Sequence, residues 1–238
     1  MYLYIVRHGK PNYDTGDLFP EGVRQAEAAA ARLSREGITK IYSSPMPRAL
    51  QTAAPLCEAL KKESIVCPWA KELGKESKTT YPDGQKKTIS LVDPTLLWSP
   101  ANRLLSAEET LKKVPSITEN AFPERYKEIS DGLDGLLKEE GYLRTEEGFY
   151  QAVSPTDEHV ALFCHVAMTR VMLSHLYSLP YTFLGALGQA HFTGITVLYF
   201  PTEKDALCLP YLISYGDIGH LYGEENLAGP HYHFGDLF

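Results

Sequence analysis

The sequence predicts an α/β protein with three layers, α/β/α, built on a mostly parallel central sheet. Short runs rich in β-branched and aromatic residues alternate with segments whose apolar residues recur every three or four positions. Most of these runs lead into a turn or a helix start marked by glycine, proline or serine. Two late strands joined by a short polar connection predict one antiparallel strand at the edge of the sheet.

The first strand and the first helix begin this alternation. The run from Tyr2 to Val6 has the composition of a buried strand, and Ile38 to Ser43 predicts the second strand. Between them, after a polar connection from Lys10 to Gly22, helical spacing predicts a helix that ends near Gly37, with an apolar face at Val23, Ala26, Ala30 and Leu33. A helical crossover of this kind makes the two flanking strands parallel.

The second helix follows a Ser-Pro turn. Its start places Arg48 in the first helical turn, at the carboxyl end of the second strand. Its apolar face is expected at Ala49, Ala53, Leu56 and Leu60. The run from Ile65 to Trp69 then predicts a short third strand.

Residues 74–157 are interpreted as a mostly helical lid insertion that covers one end of the sheet. Ser106 and Glu109 have the spacing of a capping box at a helix start. A later stripe at helical spacing is expected to serve packing and not cofactor binding; it consists of Phe122, Tyr126, Ile129, Leu133, Leu136 and Leu137. The chain is therefore predicted to be a single domain, residues 1–238, that contains this insertion.

The remaining segments return to the alternating pattern. His159 to His165 is an apolar run that ends in an imidazole, and Val166 to Leu176 has helical spacing. Thr193 to Phe200 and Ala206 to Ser214 predict the two late strands. In the tail, His231 and His233 have the spacing of a metal clip, but a packed or solvated tail is the favoured interpretation.

Composition narrows the possible functions. The 238 residues carry a net charge of −7 and contain no long basic run, which argues against a nucleic-acid partner. The four cysteines lie far apart, as expected for reduced thiols and not for a zinc or redox motif. No stretch has the length of a membrane span and no leader pattern is visible, so no membrane partner is predicted and the cytoplasm is the default location.

Four side chains suited to binding an anion stand at three predicted strand ends. Arg7 and His8 follow the first strand, Arg48 follows the second, and His165 ends the late apolar run. Ligands of open α/β sheets bind beyond the carboxyl ends of the strands, where these residues would meet. Guanidinium groups bind phosphate oxygens in a bidentate manner, and nearby cations keep an imidazole neutral and nucleophilic.

These motifs carry a family resemblance. The Arg7-His8-Gly9 sequence after the first strand, the segment from Ser43 to Ala53 and the Cys164-His165 strand end resemble those of the histidine phosphatase superfamily. The resemblance implies that His8 forms a phosphohistidine, while Arg7, Arg48 and His165 hold the phosphoryl oxygens. It also implies an acid after the third strand, which we assign to Glu72 with Glu76 as the rival, and it implies no metal and no cofactor.

The sequence departs from the family pattern in three places. Relatives carry an asparagine that contacts phosphate a few residues after the Arg-His-Gly motif; Asp14 stands there, so Asn12 is the candidate phosphate ligand and Asp14 its alternative. Val166-Ala167 follows the second histidine in place of Gly-Gly. The block that mutases carry after the acid is not recognisable, which favours a phosphatase.

The predicted function is a metal-independent phosphomonoesterase that hydrolyses a small phosphorylated substrate. A phosphomutase of the phosphoglycerate mutase type and a non-catalytic phospholigand-binding module are the alternatives. Neither the substrate nor the oligomeric state follows from the sequence. Aromatic residues of the insertion are expected either to line a specificity pocket or to pack the lid; they are Trp98, Tyr126, Tyr142, Phe149 and Tyr150.

Overall fold

The computed structural model describes residues 1–74, 78–80, 86–88, 104–114, 117, 121–186, 190–222 and 227–228. Within these ranges the strands are β1 (Tyr2–Arg7), β2 (Lys40–Ser43), β3 (Ser64–Val66), β4 (Lys78–Thr80), β5 (Lys86–Thr88), β6 (Tyr142–Arg144), β7 (Tyr150–Ala152), β8 (His159–Cys164), β9 (Ile195–Tyr199), β10 (Leu207–Cys208) and β11 (Tyr211–Asp217). The helices are α1 (Pro20–Leu33), α2 (Pro47–Leu60), α3 (Ala107–Lys113), α4 (Phe122–Glu139), α5 (Val166–Tyr177) and α6 (Tyr181–Ala186). Two 3₁₀ turns span Pro68–Ala70 and Gly219–Leu221.

The central sheet has six strands in the order β11-β9-β1-β8-β2-β3. Neighbours among β1, β8, β2 and β3 pair in parallel, so the carboxyl ends of these strands lie at the same end of the sheet. Antiparallel pairing is confined to β9, which pairs with β1, and to the edge strand β11, which pairs with β9. The predicted fold class, a mostly parallel central sheet with helices, is confirmed; the strand that runs against the others is β9, which lies next to the edge strand β11.

Side-chain alternation along β1 gives the sheet two buried faces. Tyr4 and Val6 point to a core that includes residues of α1 and α2, whereas Leu3 and Ile5 belong to a core that includes residues of α4 and α5. Because both faces are covered by helices, the parallel strands read as continuous apolar runs. The three predicted layers therefore form, and α4 is a packing layer of the sheet in addition to being part of the insertion.

Several predicted elements differ in detail from the observed ones. The strand expected over Ala206–Ser214 is two strands: β10 pairs with β7 in a small three-stranded sheet, and β11 pairs with β9. Pro210 lies between them and has no N–H to donate to a sheet, which explains the break. The third strand likewise ends before Pro68. The insertion contains two β-hairpins, β4–β5 and β6–β7, besides its helices.

The helix predictions are mostly confirmed. The capping box of α3 is present, with the Ser106 hydroxyl accepting from Glu109 N and the Glu109 carboxylate accepting from Ser106 N. The apolar stripe of α4 lies in the core, as do the rings of Tyr126, Tyr142 and Tyr150. The prediction that Val23 lies on the buried face of α1 is wrong: Val23 is 42% exposed, because that face runs through Gly22, Ala26, Ala29, Ala30 and Leu33.

Other expectations have simpler outcomes. All four cysteines are free, and Cys67, Cys164 and Cys208 are buried. Phe149 is 41% exposed, while Trp98 lies outside the described residues. Among the helices that the structure describes, none combines the length and the apolar character needed to cross a membrane.

Two glycines of α4 provide a matched stability test. A Cβ atom on Gly132 would lie 2.3 Å from two ring carbons of Trp69, whereas a Cβ atom on Gly135 would meet nothing within 4 Å. We expect Gly132→Ala to lower the free energy of unfolding by about 1–3 kcal/mol, because the indole must move. Gly135→Ala should raise it by about 0.5–1 kcal/mol through helix propensity. Urea denaturation of both variants measures the difference, and equal shifts would contradict this packing.

Candidate active site

Four predicted site residues meet at the carboxyl ends of the parallel strands. Arg7 ends β1 and His8 follows it, Arg48 lies in the first turn of α2 after β2, and His165 is the N-cap residue of α5 after β8. Because β1, β8 and β2 are adjacent and parallel, their ends converge. All four side chains are buried, with exposed fractions of 3%, 2%, 8% and 0% respectively.

The His8 imidazole is held in one orientation by its own backbone. Its Nδ1 atom lies 2.7 Å from Gly9 O, a carbonyl that can only accept, so Nδ1 carries the hydrogen and Nε2 is left with a free lone pair. Burial lowers the pKa of His8 well below its ordinary value, and the nearby Arg7 and Arg48 charges lower it further. The ring is therefore neutral at neutral pH, which is the form that a nucleophile requires.

The backbone around His8 is fixed by both neighbouring strands. His8 N donates to Cys164 O at 3.0 Å, and Thr193 N donates to His8 O at 3.2 Å. The next residue needs glycine: a Cβ atom on Gly9 would lie 2.5 Å from Gly22 O, at the start of α1. Gly9 N also donates to Thr52 Oγ1 at 3.0 Å, which ties the motif to α2.

Buried nitrogen atoms of three side chains are available for an anion. Arg7 Nε, Arg48 Nε and His165 Nδ1 have no hydrogen-bond partner among the described residues. The other ring nitrogen of His165, Nε2, lies 2.8 Å from Ser44 Oγ, which fixes that ring 5.1 Å from the ring of His8. Unpaired buried donors are costly, so an anion that accepts from them is stabilised there.

Burial keeps both imidazoles of the site neutral. It lowers the pKa of His165 well below the ordinary value, and His8, Arg48 and Arg7 contribute in the same direction. The two arginines are the charged groups instead. Burial lowers the pKa of Arg7 to about 10 and also lowers that of Arg48, but both remain protonated at neutral pH.

The Arg7 guanidinium is held by the segment that precedes β9. Its Nη1 atom donates to Ala190 O at 2.7 Å, and its Cζ atom lies 4.2 Å from the centre of the Phe192 ring. A cation over an aromatic face is stabilised by the ring quadrupole. Thr193 in the same segment has its hydroxyl 3.0 Å from Nε2 of His220.

Glu72 lies on the segment that follows β3, close to both arginines. Its Oε1 atom accepts from Leu73 N at 2.9 Å, and the backbone N–H of Ala167, in the first turn of α5, favours the ionised carboxylate. Desolvation raises the pKa of Glu72 above its ordinary value even though these hydrogen bonds, Arg48 and Arg7 oppose the shift. The rival acid, Glu76, lies outside the described residues.

The segment after Gly9 forms a polar turn around Asn12, the predicted phosphate ligand. Asn12, predicted to bind phosphate, uses its side-chain oxygen to accept from Asp14 N at 3.0 Å, and its described hydrogen bonds do not join it to the other site residues. Asp14 is exposed. Tyr13, between them, is close enough to the pocket to interact electrostatically with Arg7 and Arg48, although its side chain is largely exposed. A short polar turn supplies a local partner for the Asn12 side-chain oxygen, and the phosphate-binding role of Asn12 stays a prediction.

Sequence reasoning missed four contributors to this site. Ser44 and Thr52 stand inside a motif that was recognised, so their positions were a usable signal. The sequence carries no signal for Tyr13 or Phe192 as site residues, because isolated aromatic residues are common in the connections between strands and helices. His231 and His233 lie outside the described residues.

Fold and pocket together define a three-layer α/β protein with a buried cationic pocket at the carboxyl ends of the parallel strands of its central sheet. The family model of the histidine phosphatase superfamily (branch 1) matches residues 3–122. The chain belongs to this superfamily.

Known relatives agree with this assignment. The probable phosphoglycerate mutase GpmB of Proteus mirabilis (strain HI4320) is 34% identical over 82 residues, which cover 31% of this chain and 38% of that relative. The matched part is therefore well under half of the relative. A mutant phosphoserine phosphatase from Entamoeba histolytica in complex with phosphoserine has a TM-score of 0.60 at 20% identity, covering 92% of this chain and 98% of that one. A mycobacterial glucosyl-3-phosphoglycerate phosphatase in complex with VO3 has a TM-score of 0.58 at 22% identity, covering 90% and 98%.

Proposed function

We propose that this chain is a phosphomonoesterase that hydrolyses a small phosphate ester through a phosphohistidine on His8. The observation that carries the proposal is a neutral, buried imidazole with a free Nε2 atom beside unpaired arginine and histidine donors. Such donors stabilise the charge on the equatorial oxygens of a phosphoryl group in transfer. Membership of the superfamily and its phosphatase neighbours in fold support the same reaction class.

The proposed reaction has two steps. Arg7, Arg48 and Nδ1 of His165 hold the phosphoryl oxygens while His8 Nε2 attacks phosphorus and the bond to the ester oxygen breaks. Glu72, in its acid form, gives its proton to that leaving oxygen. A water molecule then gives a proton to Glu72 and attacks the phosphohistidine, so the P–N bond breaks and inorganic phosphate and free His8 are regenerated.

The domain organisation belongs to the same proposal. We take residues 1–238 as one catalytic domain in which residues 74–157, which include α4, are a mostly helical lid insertion. The ligand is a small phosphate ester. Two structures of the phosphoserine phosphatase from Entamoeba histolytica support this class, since they were solved in complex with phosphoserine and with 3-phosphoglyceric acid.

A phosphomutase is the second candidate, because the curated relative from Proteus mirabilis is a probable phosphoglycerate mutase. The chemistry of the first step is the same in both cases. The two functions differ in the acceptor of the second step, which is water for a phosphatase and a substrate hydroxyl for a mutase. Release of inorganic phosphate without an added acceptor therefore favours hydrolysis.

The test is a panel of metabolite phosphate esters, with phenyl phosphate as a generic substrate, assayed in excess EDTA. We expect release of inorganic phosphate that EDTA does not change, because no step of the proposed reaction needs a metal. Transfer of phosphate to a second hydroxyl with little hydrolysis would identify the mutase. A folded protein that binds phosphate esters but neither hydrolyses nor transfers them would leave the binding module as its function.

A further inference from the structure

Helix α4 contributes a buried arginine that reaches the segment carrying Glu72. Arg125 is 8% exposed, and its Nη2 atom donates to Trp69 O at 2.7 Å and to Lys71 O at 2.6 Å. The second of these carbonyls belongs to the residue directly before Glu72. A charged guanidinium binds carbonyl oxygens more strongly than a neutral donor does, and its planar shape fixes their direction.

The acid is therefore held from two sides. Arg125 fixes the backbone before it, and the N–H group of Leu73 donates to its carboxylate. The same helix also packs against this segment at Gly132, where the Trp69 ring lies on the helix surface. The position of the Glu72 carboxyl group consequently depends on α4, a helix that begins at Phe122, the last residue matched by the family model.

We propose that Arg125 is a positioning residue for Glu72, which links the placement of α4 to proton donation. The proposal rests on the role of Glu72 in the proposed function. A positioning role predicts a dependence on the leaving group that a purely structural role does not predict. If Arg125 acts through the proton donor, its loss must matter for a leaving group that needs a proton and hardly at all for one that leaves as a stable anion.

The probes are phenyl phosphate, whose leaving oxygen needs protonation, and 2,4-dinitrophenyl phosphate, whose leaving group does not. The quantity measured is kcat/KM, because it reports steps up to the first irreversible one and excludes hydrolysis of the phosphohistidine. We expect Arg125→Met to lower kcat/KM about 10- to 100-fold on phenyl phosphate, as for a misplaced catalytic group. On 2,4-dinitrophenyl phosphate the loss should stay below about 3-fold.

Three further variants complete the experiment. Glu128→Gln removes the ion pair of Arg125 Nη1, which is 2.6 Å long, without touching the two carbonyl contacts, and should leave both rates unchanged. Arg125→Lys keeps the charge but not the fork, so it should show a smaller loss with the same dependence on the leaving group. In a Glu72→Gln background, Arg125→Met should add no further loss on phenyl phosphate, since the two residues act in series.

Equal losses on the two probes, additive losses with Glu72→Gln, or an unchanged rate on phenyl phosphate would each overturn the positioning role. If Arg125→Met does not fold, as judged by its thermal transition, Arg125→Lys decides the question by the same comparison. Failure of the proposed function looks different. In that case the wild-type protein itself lacks turnover, or Glu72→Gln alone shows no dependence on the leaving group.

Discussion

Replacing His8 by alanine should lower kcat on phenyl phosphate by at least about 10³-fold, the scale of loss when a covalent nucleophile is removed. Alanine supplies no atom that can attack phosphorus, and the donors of Arg7, Arg48 and His165 remain to bind the ester. Binding of inorganic phosphate should therefore survive in His8→Ala while turnover does not. This separation distinguishes a lost nucleophile from a collapsed pocket.

The intermediate can be observed directly. Wild-type protein quenched in alkali during turnover should carry one phosphoryl group, and peptide mass spectrometry should place it on His8. His159→Gln is a matched control, because His159 lies at the amino-terminal end of β8, the end of the sheet opposite to the site. It should keep both turnover and the phosphoryl group. A His8→Ala protein that still hydrolyses phenyl phosphate within tenfold of the wild type would refute the assignment.

Much of the fold was accessible from the sequence because its signals are local. Apolar runs, helical spacing and turn residues lie within a few positions of each other, and the handedness of crossovers then orders the parallel strands. The convergence of Arg7, Arg48 and His165 follows from that order alone, since each stands directly after a parallel strand. The break of the last strand at Pro210 was also readable, although its two halves join different sheets.

The supports of the site were not accessible in the same way. Ala190, which holds Arg7 together with Phe192, lies 183 residues further along the chain than Arg7. Arg125 reaches Trp69 and Lys71 from a helix in the insertion. Contacts of this range leave no periodic pattern. Asn12 is the reverse case, because its contact is local: its side-chain oxygen accepts from Asp14 N within a turn, whereas its position in the sequence predicts a phosphate ligand.

The Glu72→Gln substitution should separate proton donation from phosphate binding. Glutamine keeps the size of the side chain and can still accept from Leu73 N, but it has no proton to give to the leaving oxygen. We expect kcat/KM on phenyl phosphate to fall about 10²- to 10⁴-fold, the usual contribution of general acid catalysis. On 2,4-dinitrophenyl phosphate the fall should be below about tenfold, because that leaving group departs unprotonated.

The pH dependence gives this substitution a second signature. The pKa of Glu72 is raised, so its acid form persists above the ordinary range and is lost as pH rises through the raised value; wild-type kcat/KM on phenyl phosphate should fall there. The pKa of His8 is lowered, so protonation of the nucleophile reduces the rate only at a pH well below 6.5. Glu72→Gln should remove the alkaline fall and keep the acid one.

Glu76→Gln is the control that the sequence itself supplies, since four residues separate the two candidate acids. With Glu72 as the donor, Glu76→Gln keeps the wild-type rates on both aryl phosphates and keeps the alkaline fall. If the leaving-group dependence and the loss of the alkaline fall appear in Glu76→Gln and not in Glu72→Gln, the proton donor is Glu76. The desolvated carboxyl group of Glu72 would then act as an electrostatic partner of Arg7 and Arg48. Its negative charge would repel the negatively charged phosphoryl group that the two arginines bind.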